Sequence, residues 1–87
     1  SWRNISPVVN GSVTVTLSRT SSYLLVTASN VGRCCKFIQT YNTGLYEMVD
    51  LSPQGGAFSI TSSGLNLTIT STGYAGDFCL LQIGYSG

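Results

Sequence analysis

Ser12-Val13-Thr14-Val15-Thr16-Leu17-Ser18 places an apolar side chain at every second position, with a hydroxyl residue on either side of each. Successive side chains of a strand point to opposite faces, so Val13, Val15 and Leu17 share one side. Ser12, Thr14, Thr16 and Ser18 share the other. This is the signature of a half-buried antiparallel strand. Leu65, Leu67 and Ile69, with polar residues between them, give a second clean alternation. The two stretches read as similar strands rather than as a sequence repeat.

Working outward, every other segment also reads at period two, and none holds a 3.6 period. Residues 23–28 are apolar on both faces, as expected of a strand covered on both sides. Residues 33–41 alternate with Cys35, Phe37, Gln39 and Tyr41 on one side. In residues 45–51, Leu45, Val49 and Leu51 share a face opposite Tyr46 and Met48. Residues 57–61 form a strand leading into the 65–71 strand, and residues 77–83 form a last strand, nearly continuous in apolar residues. Between them lie polar or Gly-rich turns at 19–22, 29–32, 42–44, 52–56, 62–64 and 72–76. In the Asn42-Thr43-Gly44 loop, the glycine is the expected left-handed residue.

Seven strands with turns every 8–12 residues or so predict an all-β fold. The expected architecture is an antiparallel β-sandwich, jelly-roll-like, of about seven strands, because two facing sheets bury one side of each strand. The expected core is Val13, Val15, Leu17, Leu25, Phe37, Val49, Phe58, Ile60, Leu67, Ile69, Phe78 and Leu80.

The 87 residues suffice for a single domain. With Ser1 in place of an initiator methionine, they read as a fragment or the C-terminal head of a longer chain. So short a chain buries only about 60–65% of its unfolded surface, so association, disulfides or metal are the usual supplements. Charged residues are 8% of the chain and the formal net charge is +1. No basic cluster is present, which argues against nucleic acid and against an anionic membrane surface. No stretch approaches the roughly 20 apolar residues of a membrane-spanning helix. An apolar fraction of 43% excludes a disordered composition. The remaining surface of Ser, Thr, Asn, Gln and Gly suits an extracellular or virion domain.

Three cysteines, Cys34, Cys35 and Cys79, cannot all pair within one chain. They can be reduced thiols acting as small core hydrophobes, or one of the adjacent pair can reach Cys79 on another strand. Reduced thiols fit assembly in a bacterial cytoplasm. With no histidine and no CxxC spacing, neither a zinc site nor any other cofactor is expected.

Catalysis is not expected either. The absence of histidine removes the triad chemistries and the commonest general acid–base group. The three acids are Glu47, Asp50 and Asp77. Glu47 and Asp50 lie three apart on a strand and so point to opposite faces, which does not make a glycosidase pair. Three glycosylation sequons begin at Asn4, Asn10 and Asn66. They matter only in a eukaryotic secretory pathway.

Aromatic residues are the remaining candidates. Sugars present both C–H patches and hydroxyls, which an aromatic ring beside neutral amides and hydroxyls complements. Tyr41, Asn42, Tyr46 and Tyr74 lie at expected loop edges, where binding residues concentrate, and form the candidate ligand-binding set. Each tyrosine can alternatively fill a packing or subunit contact.

Tyr23-Leu24-Leu25-Val26-Thr27-Ala28, Gly44-Leu45-Tyr46-Glu47-Met48-Val49, Phe58-Ser59-Ile60 and Leu65-Asn66-Leu67-Thr68-Ile69 together resemble the C-terminal receptor-binding heads of phage tail fibres. The resemblance spans most of residues 12–85, and the Cys34-Cys35 pair departs from it. It implies a trimeric β-sandwich tip on the virion surface, or otherwise extracellular, contacting a host cell-surface glycan or protein. The alternative is a structural virion domain, such as a decoration, baseplate or trimerisation module, without a ligand. Because residues 23–28 and 77–83 are apolar on both faces, Leu24, Val26, Leu81 or Ile83 is expected at a contact between copies of the chain.

Overall fold

Alternating side chains need two facing surfaces to cover them, and the chain supplies both as sheets. A computed structural model describes residues 2–7, 10–27, 35–52, 58–71 and 78–85. The side chains of Tyr46, Ser52 and Tyr85 fall outside this description. The described residues form eight strands: β1 (Arg3–Asn4), β2 (Ser12–Thr16), β3 (Ser21–Thr27), β4 (Cys35–Tyr41), β5 (Gly44–Ser52), β6 (Phe58–Ser63), β7 (Asn66–Ser71) and β8 (Phe78–Tyr85). Seven match the strands read from alternation. The eighth, β1, has two residues and is too short to show a period.

One sheet has the order β1-β8-β3-β4-β5 and the other β2-β7-β6. Every pairing is antiparallel. The fold is an antiparallel β-sandwich of five strands over three. Its core is Ile5, Val15, Leu17, Tyr23, Leu25, Ile38, Leu67, Ile69, Phe78 and Leu80. Phe58 of the smaller sheet meets Phe78 of the larger edge-to-face, with ring centroids 4.9 Å apart at 79°. That is a favoured aromatic geometry. Full burial of a large aliphatic side chain stabilises by about 1.5–3 kcal/mol. Leu25, Ile38 and Leu67 have no exposed surface at all.

Seven of the twelve expected core residues are buried: Val15, Leu17, Leu25, Leu67, Ile69, Phe78 and Leu80. Val13, Phe58 and Ile60 pack half-buried against them. Phe37 and Val49 require correction, because both belong to the opposite face. In β4 the inward positions are Lys36, Ile38 and Thr40, while Cys35, Phe37, Gln39 and Tyr41 point away from the core. Two polar neighbours disguise Ile38 as an outward residue. Each is satisfied locally. The Lys36 ammonium pairs with Asp50 on the adjacent edge strand, and the Thr40 hydroxyl is bonded to the β2–β3 connection.

A bulge accounts for Val49. Ile38 pairs with Met48, Gln39 with Glu47 and Thr40 with Leu45, leaving Tyr46 as an extra residue in β5. An extra residue shifts the alternation by one. Leu45 and Met48 therefore both pack against the core, although an uninterrupted strand would put them on opposite faces. Val49 lies opposite Phe37 and is 38% exposed.

The thiols are also not where a core role would put them. Val26 of β3 pairs with Cys35 on one side and Cys79 on the other. Two strand spacings put their Cα atoms about 10 Å apart, beyond the roughly 4.4–6.8 Å that a disulfide spans. Cys35 and Cys79 are free and half-buried on the outward face. Cys34 lies outside the described residues.

Ile38→Ala should cost about 2–5 kcal/mol in denaturant unfolding, whereas Tyr41→Ala, at a position 67% exposed, should stay within about 0.5 kcal/mol. Equal midpoints for the two variants would refute the inward assignment of Ile38.

Candidate functional site

Three turns meet at one end of the sandwich, and hydrogen bonds join the first two. The hydroxyl of Thr40, buried in β4, accepts from the Ser21 amide at 2.9 Å and donates to the Ser18 carbonyl at 2.6 Å. The Ser18 amide donates to the Tyr23 hydroxyl at 2.6 Å. These bonds hold residues 18–21 in a fixed shape. Across the gap, the Arg19 guanidinium donates to the Asn42 side-chain carbonyl at 2.7 Å. The Asn42 amide donates to the Thr20 hydroxyl at 3.2 Å. The β6–β7 turn closes the cluster, since a Cβ built on Gly64 would lie 3.5 Å from the Thr43 carbonyl oxygen.

Two of these residues are in the left-handed region, Thr20 at φ 46° and Asn42 at φ 53°. Asn42 occupies the first position of a two-residue hairpin turn between Tyr41 and Gly44. Asparagine tolerates this conformation, so Asn42 takes the role expected of Gly44. Thr20 is more telling. A β-branched residue at positive φ is a genuine outlier, stored at a cost of order 1–3 kcal/mol, and such strain concentrates at functional sites.

Of the four expected ligand-binding residues, Tyr41 and Asn42 stand together on this end. Tyr41 is 67% exposed. Tyr46 is the bulge residue of β5, and its side chain lies outside the described residues, as does Tyr74 entirely. Arg19 and Thr20 belong to the same cluster. The sequence marked them only as part of a polar turn, because the positive φ and the bond to Asn42 have no one-dimensional signature.

The two outward faces differ in chemistry, although the larger sheet also carries a polar row, Gly84–Ser22–Gln39–Glu47. On the smaller sheet the outward rows are Ser12–Thr70–Ser59, Thr14–Thr68–Thr61 and Thr16–Asn66–Ser63. Every position is a hydroxyl or an amide. Bonds of 2.9, 2.9 and 2.8 Å join Ser12 to Thr70, Thr14 to Thr68 and Thr16 to Asn66. On the larger sheet one outward row is Leu81–Leu24–Phe37–Val49, and the next contains Cys79, Val26 and Cys35. Leu51 and Ile83, each at a bulge, add apolar surface that is 55% and 49% exposed.

Glu47 and Asp50 are exposed on β5, and Asp77 lies outside the described residues. Among the described residues no three His, Cys, Asp or Glu side chains come together as a metal site. Comparison with protein-family models, with curated proteins and with solved structures gives no match.

Replacing Thr40 by Val keeps the shape and removes the hydroxyl that serves Ser18 and Ser21. The expected loss is about 1–3 kcal/mol from unsatisfied buried backbone groups, with faster hydrogen exchange at the Ser21 amide. An unchanged exchange rate there would show that Thr40 does not hold the turn.

Proposed function

We propose that the chain is a non-enzymatic, homo-oligomeric binding head, the receptor-binding tip of a phage or viral fibre, which contacts a host cell-surface glycan or protein. One observation carries this reading: the larger sheet has two apolar rows on its outward face, while the outward face of the smaller sheet is covered by hydroxyls and amides. An apolar patch spanning several strands amounts to a few hundred Å², the size at which exposed surface marks an interaction site.

Assembly through the larger sheet covers Leu24, Phe37, Val49 and Leu81 and turns the hydroxyl face outward. Three-fold closure follows from the fibre-head resemblance. The turn end with Tyr41, Asn42, Arg19 and Thr20 then remains at the rim of the assembly. There an exposed ring, an amide and hydroxyls offer the complement of a sugar, held rigidly by the bonds to Thr40.

Light scattering across a dilution series and binding to host cells or a glycan array test the two halves. Leu81→Asp should disperse the oligomer, because a buried unpaired charge is costly. Tyr41→Ala should preserve the oligomer and reduce host binding. A parent chain that is monomeric at micromolar concentration overturns the assembly half. A Tyr41→Ala head that binds like the parent overturns the assignment of the turn end.

A further inference from the structure

We infer that the cleft between the two sheets at the β1–β8 edge is a second binding site, specific for a small carboxylate-bearing sugar. This goes beyond the fibre-head reading and stands whether or not that reading holds. The cleft arises from unequal widths. At about 4.8 Å per strand the larger sheet spans roughly 19 Å and the smaller roughly 10 Å, so the larger one overhangs. The overhang leaves a cleft of about 300 Å³. That lies at the small end of the range for ligand pockets.

Apolar and polar side chains share its lining. Leu17, Tyr23 and Leu80 line it, each at most 5% exposed. Arg3, Thr16, Ser18 and Gln82 line it as well. Arg3 pairs with Leu80 and Gln82 with Tyr23, so both long side chains stand on the inward side of the large sheet. Gln82 is held by a 3.4 Å bond from its amide nitrogen to the Ser21 hydroxyl, which leaves its carbonyl oxygen as an acceptor for a ligand hydroxyl.

Arg3 decides the charge of the ligand. It has no ion pair among the described residues, where the one salt bridge joins Lys36 to Asp50. A guanidinium offers five donors in a fork that fits a carboxylate with two parallel bonds. The surfaces of Leu17, Tyr23 and Leu80 suit the C–H face of a sugar ring, the polar side chains beside them suit its hydroxyls, and the volume admits about one such ring. Assembly through the opposite, outward face of the large sheet leaves this mouth open. The cleft adjoins the turn end through Ser18 and Tyr23, but Arg19 is engaged there with Asn42 and does not line the cleft.

Nuclear magnetic resonance titration of the ¹⁵N-labelled chain in its assembled state tests the inference, with glucuronate, glucose and inorganic phosphate as probes. Glucuronate should shift the amides of Ser18, Leu80 and Gln82 in a saturable way, while glucose and phosphate at equal concentration should not. Arg3→Gln should weaken glucuronate binding by roughly tenfold or more, the loss of one charge-assisted pair, and Glu47→Gln, exposed on β5 away from the cleft, should leave it unchanged. The inference is overturned if glucuronate produces no shifts at these residues. It is equally overturned if glucose or phosphate reproduces them, or if Arg3→Gln binds as the parent does. Unchanged shifts elsewhere in the Arg3→Gln spectrum show that the variant is folded.

Discussion

Leu25 and Ile38 of one sheet facing Leu67 and Ile69 of the other form the contact on which everything else in this domain depends. All four are at most 1% exposed. They are contributed by β3, β4 and β7, three of the four strands flanked on both sides within their sheets. A chain of this size has a small surplus of burial over conformational entropy. The sheets are therefore held by few side chains, and each strand's register matters. A slip by one residue in β4 would bring Phe37 and Gln39 inward and strand the Lys36 ammonium outside, away from Asp50.

The same constraint explains two of the polar groups that the core contains, whereas the buried Ser71 hydroxyl has no hydrogen-bond partner among the described residues. Thr40 is buried, yet both its donor and its acceptor capacity are used by the turn it supports. Lys36 is 6% exposed, and its ammonium emerges beside an edge strand, where Asp50 is still in contact with water. A long aliphatic stem can lie along a core while its charge reaches solvent. An inward charge beside β5 also discourages another strand from pairing with that edge.

How legible was this in the sequence? Where alternation is uninterrupted, as in residues 12–16 and 66–70, strand, face and burial all follow from residue type, but the inward Ser71 that ends β7 is buried despite its hydroxyl. In β4 the alternation was visible and its sign was not, because Phe37 and Ile38 are both apolar and the sheet is covered unequally. In β5 one inserted residue, Tyr46, reverses the faces of everything before it, and nothing in the local composition announces a bulge. Tyr41 and Asn42 could be recognised as a turn edge from Asn42-Thr43-Gly44. Their partners Arg19 and Thr20 could not, since the bonds joining them cross between turns far apart in the chain. The cleft beside Arg3 depends on a difference in sheet width, which is a property of topology rather than of any motif.

The nine hydroxyl and amide side chains on the outside of the smaller sheet keep the domain hydrated without charge. With only seven charged residues in the chain, salt has little to screen. Acid and base have few groups to titrate. Ions that favour burial would strengthen any covering of the apolar rows, where they would weaken a contact between charges. A surface built in this way keeps nearly the same charge as the acidity and salinity around it change.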